Sequence, residues 1–236
     1  MWTRARLKNY YLTWEREQPW LADWAYRFFH GGFWRRIQYR LRGKKHEINI
    51  HRSAICQGVT FDLGGSSHYI EIGPRCILRN VLFKFSGESH RAILGERVKF
   101  IHGGSIHMED DAGELKIGAK TTFEDTHLAV TGHGKKILIG SDCMFAYDID
   151  VRTGDSHAIV NAAGQKINDE RDIILGEHVW VASHCTILKG TEIGENSIVA
   201  TRSTVTAKFG KNIVLGGSPA RLLKEGVSWR RERFIT

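Results

Sequence analysis

Aliphatic residues in the second half of the chain recur at a spacing that suits neither a helix nor a hairpin. Leu175, Val181, Ile187, Ile193, Val199 and Val205 stand six apart without a miss. A helix repeats its apolar face about every 3.6 residues, and an ordinary meander is broken by turn residues every 8–12 or so. Upstream the same residues follow a longer period. YIEIGPRC (69–76), RAILGERV (91–98), ELKIGAKT (114–121) and KILIGSDC (136–143) align, with aliphatic–Gly pairs that begin at Ile72, Leu94, Ile117 and Ile139. Ile50 extends that series one step back, and Leu175-Gly176 and Ile193-Gly194 carry it forward. Both periods fit a solenoid in which each six-residue unit makes one short side and points one aliphatic residue inward. Three such sides close one coil, and stacked coils pair their strands in parallel. The longer coils carry about four extra residues at a corner, in the turn-rich stretches GGSSH (64–68), SGESH (86–90), DDAGE (110–114) and GHGK (132–135). The expectation is an all-β solenoid of seven or eight coils over residues 46–226.

The beat fails once. Ile139, Phe145 and Val151 keep it, but the next position is His157 in RTGDSHAI (152–159). A polar stretch, AIVNAAGQKINDER (158–171), follows before the pattern resumes at Leu175. A solenoid gives up core burial wherever a coil is interrupted, so the interruption is the first place to look for a functional loop.

Residues 1–45 have a different physics. They hold 11 Lys+Arg against 3 Asp+Glu, while the remainder is neutral, and they carry half of the aromatic residues. Leu7, Tyr11 and Trp14, then Trp20, Trp24 and Phe28, then Phe33, Ile37 and Leu41 fall at helical spacings, with Pro19 and Gly31-Gly32 as start and stop. This reads as a short helical region packed on the solenoid or on a neighbouring subunit. A second reading is a peripheral membrane contact, with Trp and Tyr at the headgroup layer and Arg on anionic lipid. No nucleic-acid motif accompanies the charge, so no nucleic-acid partner is expected. Residues 227–236 read as a tail. No run reaches the roughly 18–20 apolar residues of a membrane span. Charges at Arg4, Arg6, Lys8, Glu15, Arg16 and Glu17 interrupt any secretory leader. The four cysteines lie far apart and read as buried, inert thiols of a reducing compartment. The expectation is a cytoplasmic protein, with the inner face of the membrane as a second location if residues 1–45 touch lipid.

IGSDCMFAYDIDVRTGDSHAI (139–159), INDERDIILGEHVWVASHCTILKG (167–190) and NIVLGGSPARLLK (212–224) resemble the hexapeptide-repeat acyltransferases, and among them the sugar O-acetyltransferases of surface-polysaccharide clusters. The resemblance implies a left-handed parallel β-helix, a hand that general crossover rules would not give. It also implies a homotrimer that moves an acetyl group from acetyl-CoA to a hydroxyl of a glycan or lipid-linked saccharide. His157 matches the family's general base. A sugar hydroxyl is far too weak an acid to attack a thioester unaided, and an imidazole can take its proton. A carboxylate on the other ring nitrogen would fix the tautomer. Asp155 is favoured by its i, i+2 position, and Asp148 and Asp150 stay open. The resemblance places Trp180, Ala182, Ser183, Lys189, Ala200, Thr201, Lys208 and Arg221 on the acyl-donor side, and Arg152 and Asn168 on the acceptor side. Two positions depart from the family pattern: Ser218 stands where Asn is usual, and Ala182 where a Gly is usual. Cys143 and Cys185 lack an evident base, so direct transfer without an acyl-enzyme is expected.

Two other readings compete. A metal enzyme on the same solenoid would need three converging ligands, and His102, His107 and His127 are the candidates, although the coil partner of position 102 is Glu124. No metal is expected. A non-catalytic scaffold is the other. His30, His46, His51, His68, His90 and His133 read as solvated loop residues.

Overall fold

The computed structural model describes residues 37–232. They form a parallel β-solenoid with three faces of stacked strands. The first face is an eight-stranded sheet: Glu47–Ile50, Tyr69–Ile72, Arg91–Leu94, Glu114–Ile117, Lys136–Ile139, Ile173–Leu175, Glu192–Ile193 and Lys208–Phe209. A 15-stranded sheet supplies the other two. It bends round a corner because the first part of Lys99–Met108 pairs with Ile77–Arg79 and the second part with Val81–Phe85. Thr122–Val130 does the same with Met144–Phe145 and Ile149–Arg152. The second face then runs through Trp180–Val181, Ile198–Val199 and Ile213–Gly217. The third runs from Ile37–Leu41 through Val59–Leu63 to Thr186–Leu188 and Thr204–Val205.

The aliphatic column expected from the sequence is in register along the first face. Ile50, Ile72, Leu94, Ile117, Ile139, Leu175 and Ile193 pair in turn, and Phe209 ends the row. The six-residue beat places Val181 and Val199 inside the second face and Ile187 and Val205 inside the third, all fully buried. Aromatic stacks thicken the early coils: Phe100, Phe123 and Phe145 stack at 4.4 and 4.7 Å, and Tyr39, Phe61 and Phe83 at 5.4 and 4.8 Å. The glycine after Ile72, Leu94, Ile117, Ile139, Leu175 and Ile193 has a steric cause. Coils pass so close there that a Cβ on Gly140 would lie 2.5 Å from the Gly176 backbone, closer than non-bonded atoms approach.

Three expectations are corrected. Ile37–Leu41 was read as helical from its i, i+4 spacing, but it is a strand parallel to Val59–Leu63, so the solenoid begins before residue 46. Strand pairing decides here, because the third face offers this segment an edge. The remaining helical readings lie outside the described residues. Second, His68 and His90 are buried rather than solvated. With His46 they form a ladder, ring on ring at 5.0 Å, one histidine per coil. Nε2 of His68 and of His90 lies 2.6 Å from the carbonyl four residues back, and each Nδ1 accepts a backbone N–H of the next coil. Third, the described part of the tail, residues 227–232, docks on the solenoid. After the antiparallel hairpin Ile213–Gly217 / Ala220–Glu225 the chain turns back along a corner of the solenoid. Trp229 is buried, stacks on His178 at 4.1 Å and donates from Nε1 to its carbonyl. Arg231 reaches further, to Asp142 and the carbonyls of Lys120 and Cys143.

Candidate active site

The loop predicted from the missed beat leaves the third face after Ile149–Arg152 and returns at Ile173–Leu175. Its base is closed where the Arg171 N–H donates to Thr153 O at 3.0 Å. Thr153 is itself buried, with its hydroxyl donating to Thr131 O at 2.8 Å. Within the loop, Ile167 N–H donates to Ile159 O at 2.8 Å, so residues 159–167 form a small hairpin. His157 sits on the outgoing arm, exposed. Its imidazole makes no hydrogen bond or ion pair to the described residues.

Asp155 is not turned to that imidazole. Its carboxylate is held by the Lys189 ammonium and by Asn168 Nδ2, the latter at 2.8 Å. These two donors, Lys189 first, keep its pKa below the usual carboxylate range. Asn168 is buried and also donates to His157 O at 2.8 Å, while its Oδ1 accepts Ile159 N–H at 2.7 Å. Arg152 spends its guanidinium on Asp150, at 2.6 and 2.7 Å.

Asp155, the His157 backbone, Asn168 and Lys189 therefore converge at the corner between the third and first faces. The remaining donor-side residues lie elsewhere. Ala182, Ser183, Ala200 and Thr201 stack on successive coils at the corner between the second and third faces, where Thr201 Oγ1 donates to Ser183 O at 2.8 Å. Trp180 lies on the second face, 6.1 Å from the Trp229 ring. Lys208 is paired with Glu192 on the first face, and Arg221 is exposed on the terminal hairpin. A third-face strand such as Ile149–Arg152 separates the two corners by four residues, about 13 Å at strand rise.

Between those corners, Asp125, His127, Asp148, Ile149, Asp150 and Arg152 line an open depression of about 270 Å³. Stacked coils set Ser105, His127 and Asp150 in one outward row. Ser105 Oγ lies 2.6 Å from His127 Nδ1. Burial lowers the His127 pKa and brings that of His107 to about 4. Such a surface offers neutral rings, carboxylates and a hydroxyl, a donor and acceptor set suited to sugar hydroxyls.

The sequence reading missed two His–Asp pairs. His184 Nδ1 lies 2.9 Å from Asp148 Oδ2, and His178 Nδ1 lies 2.8 Å from Asp142 Oδ2. In each pair the partners are 36 residues apart and occupy the same corner position of adjacent coils. That spacing, the 18-residue coil plus the 18-residue insertion, was the signal available. The His178 pair is tied up by Trp229, whereas the His184 pair is exposed. Of the three metal-ligand candidates, His102 is paired with Glu124 at 3.1 Å, and the His107 and His127 rings meet edge to face. No group of three or more His, Cys, Asp or Glu converges on a metal position among the described residues. The thiols are buried, and burial raises the pKa of Cys143 to about 11 and also raises that of Cys185, which suits inert core residues.

Comparison with known proteins agrees with this architecture. Residues 172–207 match the family described as bacterial transferase hexapeptide (six repeats). The chain is 32% identical over 122 residues to the polysialic acid O-acetyltransferase of Neisseria meningitidis, covering 51% of this chain and 56% of the relative. It is 32% identical over 116 residues to the polysialic acid O-acetyltransferase of Escherichia coli O1:K1 / APEC, covering 49% of this chain and 38% of the relative. The match to these curated relatives thus spans about half of their length or less. Among solved structures, the polysialic acid O-acetyltransferase OatWY superposes with a TM-score of 0.79 at 28% identity, over 84% of this chain and 93% of that one. Its stacked six-residue sides, matched repeat and shared solenoid make the chain similar to the hexapeptide-repeat acetyltransferases.

Proposed function

We propose that the protein is an O-acetyltransferase that moves an acetyl group from acetyl-CoA to a sugar hydroxyl of a surface polysaccharide or its precursor, with His157 as general base. The observation that carries this reading is the braced loop. It interrupts an otherwise regular solenoid, is clamped at Asp155 and Asn168, and presents the His157 imidazole without a hydrogen-bond or ion-pair partner among the described residues. The neutral imidazole takes the proton of the attacking hydroxyl as its oxygen adds to the thioester carbonyl. The tetrahedral oxyanion collapses, the C–S bond breaks, and the thiolate leaving group receives the proton from the imidazolium. Backbone N–H groups of a coil edge would meet the oxyanion. The transfer is direct, since the buried thiols offer no nucleophile.

The donor would lie along the corner of Ala182, Ser183, Ala200 and Thr201, whose small side chains allow close backbone approach. Trp180 would flank the pantetheine arm, and Lys208 and Arg221 are the cations for its phosphates. The depression beside Arg152 would receive the acceptor. Because loop and donor corner lie across a face from each other, one chain does not make a complete site, and a homotrimer in which neighbours share each site is the simplest closed solution. A donor made in the cytoplasm would put the site of reaction there. Residues 1–36 would bring it to a lipid-linked acceptor at the membrane.

Titration of acetyl-CoA by calorimetry tests the donor assignment. Micromolar binding that weakens in Trp180→Ala and survives His157→Ala supports it, and absence of binding by the wild type removes it. A second reading is favoured by one observation, the hydrogen bond that already orients His184 on Asp148. It predicts that His184→Ala, and not His157→Ala, abolishes acetyl transfer.

A further inference from the structure

Asn168 and Lys189 were expected to touch acceptor and donor, yet their polar atoms are already committed. Both Nδ2 hydrogens of Asn168 are used, one on Asp155 Oδ2 and one on His157 O, each at 2.8 Å. Its Oδ1 accepts Ile159 N–H at 2.7 Å, and its own carbonyl accepts from Lys189 Nζ at 2.9 Å. Lys189 comes from the next coil, just beyond Thr186–Leu188, and also clasps Asp155. The side chain of Lys189 is 20% exposed and the residue Asn168 is 8% exposed. A fully satisfied buried polar group of this kind fixes geometry, since leaving any member unpaired costs its desolvation. The bonds fall on both sides of His157, at residues 155, 157 and 159, so the segment is gripped before, at and after the histidine.

We infer that Asn168 and Lys189 are positioning residues: together with Asp155 they hold the His157 segment on the following coil, and neither binds acceptor or donor. This rests on His157 being the base. It makes Asp155 an anchor for the loop rather than the partner of the imidazole. The chemistry of Asn168 is specific to the task. An aspartate there would set a carboxylate against Asp155 and the His157 carbonyl, and an alanine would remove a hydrogen-bond partner from three groups, Asp155 Oδ2, His157 O and Ile159 N–H.

The test compares Lys189→Met, Asn168→Ala and Asp155→Asn with the wild type in steady-state acetyl transfer and in amide hydrogen exchange. A base displaced by about an ångström costs up to about a hundredfold in rate. The expected result is a fall in kcat of about tenfold or more in Lys189→Met and Asn168→Ala, with KM for acetyl-CoA changed less than about threefold. Preference for acetyl-CoA over its 3′-dephospho analogue should be unchanged. The Lys189→Met/Asp155→Asn double variant should lose no more than the worse single one, since both break one ion pair. Amide protection at Ile159 should drop in Lys189→Met and Asn168→Ala while the coils stay protected. A Lys189→Met protein with intact kcat and a tenfold higher KM for acetyl-CoA, lost on the dephospho analogue, would overturn the inference and make Lys189 a phosphate ligand. Unchanged Ile159 protection in both variants would overturn it too. If the wild type transfers no acetyl group, the functional reading fails, and the exchange data still decide whether these residues hold the loop.

Discussion

His68 and His90 show what a single residue contributes when its coil neighbours are identical. Each ring sits between an acceptor carbonyl on one side and a backbone N–H on the other, a pattern only the neutral tautomer satisfies. Burial is the largest cause that lowers both pKa values below the ordinary 6.5, and the bond to the carbonyl works against it. The unfolded chain therefore binds protons below about pH 6.5 that the folded chain refuses. The ladder's stability is complete above that pH and is lost as pH falls toward the depressed folded values, by up to about 1.4 kcal/mol per pH unit per histidine. Urea melts between pH 5 and 8 should show this slope, and His90→Leu should flatten it. The ladder was written in the sequence as His46, His68 and His90 at 22-residue steps. It escaped a reading that weighed each histidine alone, because burial is a property of the stack and not of the residue. The interrupted coil at position 157 was legible for the opposite reason, since it broke a pattern that its neighbours kept.

At the level of elements, the apolar faces followed directly from sequence, because a parallel coil repeats its inward position without slippage and a one-residue shift would expose every aliphatic. Ile37–Leu41 was misread because a five-residue strand with only Ile37 partly buried carries no alternation of its own. The docking of residues 227–232 was illegible for a related reason: nothing local in VSWRRE says that it docks on coils far upstream. Its hold is nonetheless strong. Trp229 fills a buried position, and Arg231 donates to Asp142 and to carbonyls on two coils. Burial opposes ionisation of Asp142, but the Arg231 and His178 bonds outweigh it and keep its pKa low. Trp229→Ala should destabilise the fold by about 3 kcal/mol, read from denaturant midpoints. An unchanged midpoint would mean that the tail is only lying on the surface.

Over the whole molecule, the separation of the loop corner from the corner of Ala182, Ser183, Ala200 and Thr201 is the feature with most consequence. If neighbours share each site, His157→Ala and Trp180→Ala proteins are complementary. Unfolded and reassembled together in equal amounts as trimers, they should recover about a quarter of wild-type sites, by random assortment round a threefold ring. If each chain holds its own site, the mixture stays as inactive as its parts. Light scattering of the protein lacking residues 1–36 should still give a trimer, and vesicle flotation then reads whether that segment alone carries membrane binding.

The central claim is that the loop exists to present a base. The measurement that tests it most directly is the rate of acetyl transfer from labelled acetyl-CoA, at saturating donor, by wild type and His157→Ala over a panel of polysialic acid and neutral oligosaccharides. General-base catalysis predicts a loss of about 10²- to 10⁴-fold in His157→Ala with donor binding retained. A His157→Ala protein that transfers acetyl at the wild-type rate would contradict the account.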